Sequence, residues 1–250
     1  MNWLIEPARR FAAALFLIAP LGAQAADSIV VGVEEINYLP HYQFVDGELH
    51  GFAADLIQQF ARDRNYRVDY RAMAIPRLYG ELLDGAIDLK YPDDPEWAST
   101  VKVDRDIYYS APVVGYVDGV SVLPAKLGRG VESIKTLGIV TGFTPQEWEG
   151  LIARKRVVLR TNRSFEALIK LALDGQVDGV YGNVSVIAHV AKDRLKTPNA
   201  LTYDPSLPHA AGNYYFSSSK RPKLIAEIDA WMAENRDWIK ELKRQHQLER

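Results

Sequence analysis

The chain has 250 residues, of which 48% are apolar, and a formal net charge of −2. Its length allows one large domain or two small ones with a proper core, and its charge argues against nucleic acid as a partner. Cysteine is absent, which excludes disulfides, thiolate metal sites, cysteine nucleophiles and a lipidated cysteine.

The first 25 residues have the pattern of a secretory signal peptide. Arg9 and Arg10 precede an apolar run over 11–21, and Ala23-Gln24-Ala25 supplies small residues at the positions that a signal peptidase recognises. The run is too short for a membrane-spanning helix, which needs roughly 20 apolar residues. We therefore expect cleavage before Ala26 and an exported, soluble chain without direct membrane insertion.

Strands and helices alternate along the predicted mature chain. After a strand over 29–33 and a loop over 34–45, apolar periodicity predicts a helix over 52–64, a strand over 67–73, a helix over 77–83 and a strand over 87–91. A second series comprises strands over 137–140, 157–160 and 177–181, with helices over 145–153 and 164–173 between them. This order is typical of an α/β fold with parallel strands.

A short repeat indicates that the two series are related halves. Leu83-Asp84-Gly85-Ala86-Ile87-Asp88 matches Leu173-Asp174-Gly175-Gln176-Val177-Asp178, and both stand where a helix ends and a strand begins. Extended segments over 109–123 and 206–214 are predicted to cross between the halves. The tail over 222–247 is predicted to be helical, with Trp231, Trp238 and Leu242 packing against the sheet.

Several motifs in this order resemble the polar amino acid family of type II periplasmic solute-binding proteins. Tyr38-Leu39-Pro40-His41-Tyr42 and Gly51-Phe52-Ala53-Ala54-Asp55-Leu56 resemble the family's opening. The later landmarks follow along the mature chain: Asp84 to Asp88, Tyr109 to Pro112, Ile139 to Thr144, Asp174 to Val180 and Tyr214 to Ser217.

The resemblance implies a two-lobed periplasmic binding protein type II fold in which two crossing strands form a hinge. Lobe 1 would comprise 26–112 and 211–250, lobe 2 would comprise 118–207, and 1–25 would be the signal peptide. It also implies a periplasmic protein that binds a small polar solute, anionic or amino-acid-like, between the lobes. The partner would be the membrane permease of an ABC transporter, and no cofactor or metal is expected.

Strand ends and helix starts predict the binding residues, because in parallel α/β sheets these face the cleft. Thr141-Gly142-Phe143-Thr144 follows a strand and precedes a helix, so its backbone N–H groups favour an anion, and the alternative is a simple helix cap. Tyr38 and Tyr42 follow the first strand and could form a pocket wall or pack in the core. Glu34 and Glu35 end that strand, and Glu35 is favoured slightly as the partner of a ligand cation. Phe52, in the opening motif, completes this group of candidates.

A third group of candidates contains cations and aromatic residues. Arg77 starts a helix, where a cation is unfavourable with the dipole, so a ligand anion or a salt bridge to Glu81 would explain it. Lys90 and Tyr91 end an apolar strand, and a lysine there is unusual enough to predict contact with an anionic ligand group. Trp97 follows, to stack on a ligand or cover the core.

Two departures from the family pattern concern the amino acid clamp. The segment after the third strand, 92–102, lacks the arginine that the family uses to hold the ligand α-carboxylate. Asn183 stands where the family places an aspartate for the α-ammonium, and it brings no charge. A standard α-amino acid is therefore an unsafe prediction for the ligand.

The predicted protein is a binder and not an enzyme, with two alternatives left open. Some proteins of this fold are dehydratases of prephenate-like acids, and Glu34, Glu35, Asp93 and His209 could supply an acid or base. No nucleophile elbow, zinc motif, phosphate loop or dinucleotide fingerprint is present. The other alternative is an orphan sensory or partner-binding module of the same fold.

Overall fold

The computed structural model describes residues 26–248, which form a mixed α/β structure. The first half of this range contains the following elements: β1 (Asp27–Glu34), β2 (Asn37–Tyr38), β3 (Tyr42–Val45), β4 (Glu48–His50), α1 (Phe52–Asp63), β5 (Tyr66–Met73), α2 (Ile75–Leu83), β6 (Leu89–Asp93), α3 (Ser99–Lys102) and β7 (Tyr108–Tyr109). The predicted strand, helix, strand, helix, strand order is confirmed here. The predicted loop over 34–45 is wrong in part, because β2, β3 and β4 pair as a small antiparallel sheet.

The second half repeats the pattern and ends in two helices. Its elements are β8 (Val114–Val122), β9 (Thr136–Val140), α4 (Glu149–Ala153), β10 (Val158–Asn162), α5 (Phe165–Leu173), β11 (Gly179–Asn183), α6 (Val184–His189), β12 (Thr202–Tyr203), β13 (Ala210–Ser218), α7 (Pro222–Glu234) and α8 (Arg236–Gln245). The helix predicted over 145–153 begins instead with a 3-10 turn over Gln146–Trp148. The tail is two helices and not one, because the backbone leaves helical geometry at Asn235.

The main sheet has the strand order β5-β1-β6-β13-β8-β11-β9-β10. β1 lies parallel between β5 and β6, and β9 lies parallel between β10 and β11. We call these three-strand groups, with their helices, lobe 1 and lobe 2. β8 and β13 are antiparallel to each other and join the groups, so the two predicted crossing strands are confirmed.

The repeated Asp-Gly segment has the same structural role in both lobes. Gly85 and Gly175 have φ of +69° and +71°, which ends α2 and α5. Asp88 then accepts a hydrogen bond from the backbone N–H of Val30 on β1, and Asp178 accepts one from Thr136 on β9. Each repeat therefore fastens its helix end to the central strand of its lobe. β6 and β11 begin two residues later than predicted, after these aspartates.

Helix packing builds the core on the faces of the sheet. In α1 the buried side chains of Phe52, Leu56 and Phe60 recur every fourth residue and face the sheet. Ser164 caps α5 by accepting a hydrogen bond of 3.1 Å from the N–H of Ala167. Trp231 and Leu242 of the tail are buried, whereas Trp238 is 36% exposed.

Three predictions concern the chain's organisation and its export. The predicted lobe limits, 26–112 with 211–250 and 118–207, stay predictions. The signal peptide predicted over 1–25 lies outside the described residues. Over 26–248, none of the helices combines the length and the apolar character that crossing a membrane requires.

Candidate functional site

A small cavity lies between lobe 1 and lobe 2, and both lobes and β8 contribute to its wall. It leaves about 30 Å³ for the centres of water molecules, which is room for about two waters. The lobes are therefore nearly closed on each other. The lining residues are Glu34, Tyr38, Ile75, Tyr79, Pro92, Trp97, Ala98, Asp118, Gly142, Phe143, Thr144 and Tyr181.

The carboxyl ends of the parallel strands bring these residues together, as expected for an α/β sheet. Glu34 ends β1, Pro92 lies at the end of β6, and Tyr181 lies on β11. Gly142 follows β9 with φ of +96°, and a Cβ there would lie 3.0 Å from the Cβ of Ile75 in the opposite lobe. This turn therefore approaches α2 so closely that a side chain at 142 would push the lobes apart.

Aromatic rings from both lobes line the site and pack against further rings behind it. The Tyr38 and Tyr214 hydroxyls are 2.9 Å apart, and the Tyr214 ring stacks on Tyr116 with a centroid distance of 4.7 Å. Trp97 contacts both Tyr116 and Tyr214 with centroid distances of 5.5 Å, and Tyr38 meets Phe143 of lobe 2 edge-on. Rings from both lobes and from the crossing strands therefore fix the shape of this wall.

A buried ion network lies behind the wall in lobe 1. Lys90 is 0% exposed, and its Nζ lies 3.8 Å from Glu34 Oε1 and 3.6 Å from Asp93 Oδ1. Lys102 Nζ lies 3.0 Å from the same Asp93 oxygen. Burial tends to raise the pKa of Asp93, but the two lysines outweigh burial, and the pKa lies below its ordinary value.

Glu34 joins this network to the cavity. Its Oε2 accepts a hydrogen bond of 2.7 Å from the Tyr42 hydroxyl, and Lys90 stands on its other side. Burial nevertheless raises the pKa of Glu34, with Lys90 and Tyr42 acting in the opposite direction. Lys90 and Tyr42 therefore offset only part of the free energy that burying the Glu34 carboxylate costs.

Asp118 is the functional candidate that the sequence reasoning missed. It lies on the crossing strand β8, is 6% exposed, and its Oδ1 has no hydrogen-bond partner. Burial, and then the charges of Glu34 and Asp94, raise the pKa of Asp118 to about 7. A carboxylate inside an otherwise apolar strand is the sequence signal that could have found it.

Five of the predicted site residues line the cavity, and four others are buried in the protein. The five are Tyr38, Trp97, Gly142, Phe143 and Thr144. Of the others, Tyr42 and Lys90 contact Glu34, and Tyr91 packs on Phe216. Asn183 caps α6 with its carbonyl and donates a hydrogen bond of 3.0 Å to the Tyr214 hydroxyl.

The remaining predicted residues lie away from the cavity. Glu35 is exposed, so its neighbour Glu34 is the acid that reaches the site. The Arg77 side chain is 72% exposed and pairs with Glu81 at 3.0 Å, which is the salt-bridge explanation of its position. Phe52 is buried in the core under α1, and Thr141 is exposed.

The turn over 141–144 offers less to an anion than its sequence suggests. The N–H of Thr141 donates to the Asn162 carbonyl at 2.9 Å, and the N–H of Phe143 donates to Val140 at 3.1 Å. The helix that follows, α4, has only five residues. Neither N–H group is therefore available to a ligand. Over 26–248 no group of three or more histidine, aspartate or glutamate side chains could hold a metal ion.

Comparison with known proteins gives a sequence relative and structural neighbours of the same fold. No family model matches the chain. It is 24% identical over 175 residues to an arginine-binding periplasmic protein of Mannheimia haemolytica, covering 68% of each chain. The structure of an ancestral arginine-binding protein bound to arginine matches with a TM-score of 0.73 at 17% identity, over 89% of this chain and 99% of that one.

The chain has the two-lobed periplasmic binding protein fold. The same fold extends to an ancestral amino acid-binding protein described as a precursor of cyclohexadienyl dehydratase. That structure matches with a TM-score of 0.69 at 16% identity, over 88% of this chain and 94% of that one. The cavity described above therefore lies between the two lobes of a binding protein fold.

Proposed function

We propose that the protein binds a small polar solute between its lobes in the periplasm and delivers it to the membrane permease of an ABC transporter. The observation that carries this proposal is the cavity whose wall comes from both lobes, with Tyr38 contributed by lobe 1 and Phe143 by lobe 2. A solute that contacts both lobes stabilises the closed arrangement over an open one.

The chemistry of the wall supports a binder of small organic molecules. Five of the twelve lining residues are aromatic, and a few polar groups, chiefly Glu34 and Asp118, can orient a ligand. The arginine-binding relatives bind an amino acid with a cationic side chain, which supports a small solute that carries a positively charged nitrogen. Because the charged side chains of the wall are acidic, an ammonium-bearing solute fits better than the anionic one that the sequence favours.

A thermal-shift screen tests the binding proposal. Amino acids, polyamines, organic acids and aromatic acids are added to the purified mature chain, and the melting temperature is followed. A ligand at a hundred times its Kd adds about 2.7 kcal/mol of stability. For a chain of this size that raises Tm by roughly 5–11 °C.

A pair of threonine variants locates the binding event. Thr144→Trp fills the cavity and should abolish the shift, whereas Thr100→Trp on the exposed surface of α3 should preserve it. A shift that survives in Thr144→Trp places the ligand outside the cavity and contradicts the proposal. The compound that gives the shift is then offered to cells with and without the gene, and the difference in its uptake tests delivery to a permease.

A second candidate function is acid catalysis by Asp118. A buried carboxyl with a pKa of about 7 is half-protonated near neutral pH. It can donate a proton to the leaving hydroxyl group of prephenate, which departs as water while the ring carboxylate leaves as carbon dioxide and its electron pair completes the aromatic ring. The test is incubation with prephenate, followed by the absorbance of phenylpyruvate. Formation of product by the wild type and its loss in Asp118→Asn would support this candidate over solute binding.

A further inference from the structure

The charged side chains of the cavity wall are all acidic. Glu34 reaches the cavity from lobe 1, and Asp118 reaches it from β8. Among residues 26–248, neither lysine nor arginine nor histidine lines it. The wall therefore carries negative charge without a cation facing the ligand.

The nearest lysines are already engaged behind the wall. Lys90 lies between Glu34 and Asp93 and donates a hydrogen bond to the Pro92 carbonyl. Lys102 binds Asp93 at 3.0 Å and the Asp94 carbonyl at 2.6 Å. Lys90 and Lys102 together thus pair with Glu34 and Asp93, and each lysine also donates to one backbone carbonyl. Neither lysine is therefore available to a ligand anion.

Asp118 is a carboxyl for which residues 26–248 supply no cation. Its Oδ1 is buried without a hydrogen-bond partner, and within the described residues no ion pair reaches it. Its charged neighbours are Glu34 and Asp94, both of the same sign. A buried, unpaired carboxylate is costly, so the missing positive charge is expected from outside the chain.

The aromatic side chains of the wall suit such a charge. Five rings surround the cavity: Tyr38, Tyr79, Trp97, Phe143 and Tyr181. The negative faces of such rings attract ammonium and guanidinium groups, most strongly where water is excluded. Lys90 Nζ already lies 4.7 Å from the Tyr79 centroid and 5.8 Å from the Trp97 centroid, so these two rings are engaged from behind. Tyr38, Phe143 and Tyr181, together with Asp118, are the groups left to attract a ligand cation.

We infer that the cleft selects an organic cation that carries no carboxylate, and that Asp118 is its counter-ion. The inference rests on the proposed function, because it specifies the solute for the same cavity. Because no cation among residues 26–248 lines the cavity, a carboxylate on the ligand would find no ion-pair partner there. It would instead face the acidic side chains of Glu34 and Asp118.

Three pairs of compounds test this selectivity by isothermal titration calorimetry. Each pair consists of a cation and its carboxylated counterpart: agmatine with arginine, choline with glycine betaine, and phenethylamine with phenylalanine. We expect at least one cation to bind, and to bind at least tenfold more tightly than its counterpart. The inference is overturned if a carboxylated compound binds as tightly as the cation of its pair. It is also overturned if the thermal-shift screen finds only anionic or zwitterionic ligands.

Charge variants at the site separate a counter-ion from a structural residue. Asp118→Asn keeps the size of the side chain and should raise the Kd of the bound cation at least tenfold. The exposed control Asp106→Asn should leave this Kd unchanged. Unchanged affinity in a folded Asp118→Asn overturns the role of Asp118. A protein that binds nothing in any screen refutes the proposed function itself.

Discussion

Replacing Asp118 by asparagine should make the protein more stable at neutral pH, although the residue is buried. An ordinary aspartate titrates near 3.8, whereas burial and the charges of Glu34 and Asp94 raise the pKa of Asp118 to about 7. The folded state therefore holds this proton more tightly than the unfolded state. The contribution of Asp118 to the stability of the folded state therefore falls as the pH rises from about 4 to 7, and the full penalty remains above pH 7.

The size of the effect follows from the same pKa. A rise from 3.8 to about 7 corresponds to roughly 4 kcal/mol at 1.36 kcal/mol per pH unit. Asparagine does not titrate, so the stability gain of Asp118→Asn should grow from near zero at pH 4 to at most about 4 kcal/mol at pH 8. The other titratable groups facing Asp118 remain in both proteins: Glu34, Asp94, Tyr38, Tyr116, Tyr181 and Tyr214.

Urea denaturation at several pH values between 4.5 and 8 measures this difference. The control is Asp106→Asn, whose side chain is exposed, and it should follow the wild type at every pH. The reasoning is refuted if Asp118→Asn is no more stable than the wild type at pH 8. It is also refuted if the difference between them does not change with pH.

Three further variants probe the wall and the network behind it. Glu34→Gln should raise the Kd of a bound cation at least tenfold, whereas Glu35→Gln should change it less than twofold, because of the two only Glu34 lines the cavity. Calorimetry compares the two variants, and equal effects would contradict this placement. Lys90→Met leaves Glu34 and Asp93 without their shared cation and should cost about 3–5 kcal/mol in chemical denaturation; a cost below 1 kcal/mol would show that the network does not stabilise the fold. Trp97→Phe should remove the change in tryptophan fluorescence on ligand binding, and a change that persists would exclude Trp97 as the reporter.

The fold was predictable from the sequence wherever burial repeats with a regular period. The helix over 52–64 and the strand over 67–73 are within one residue of α1 and β5. The small sheet over 37–50 was not predictable, because β2, β3 and β4 have two to four residues each and form through pairing. The break in the tail at Asn235 likewise depends on packing and leaves no proline or glycine signal.

The site was predictable where its residues stand at or just after the ends of strands. Tyr38 and Gly142 to Thr144 follow strands of the two lobes and meet at the cavity. Lys90 was found as an unusual charge in an apolar strand, but its partners lie on β1 and at the end of β6, and sequence spacing cannot show that they meet. Asp118 carries the same signal as Lys90, on a strand that was interpreted only as a crossing.

The most direct test of a solute-binding cleft is a crystal structure with the compound that gives the largest thermal shift. The ligand should lie between the lobes, in contact with Tyr38 and Trp97 of lobe 1 and with Phe143 of lobe 2. Its positively charged nitrogen should lie within hydrogen-bond distance of the Asp118 carboxylate. A ligand that contacts only one lobe, or that occupies another surface and leaves the cavity closed, would contradict the account.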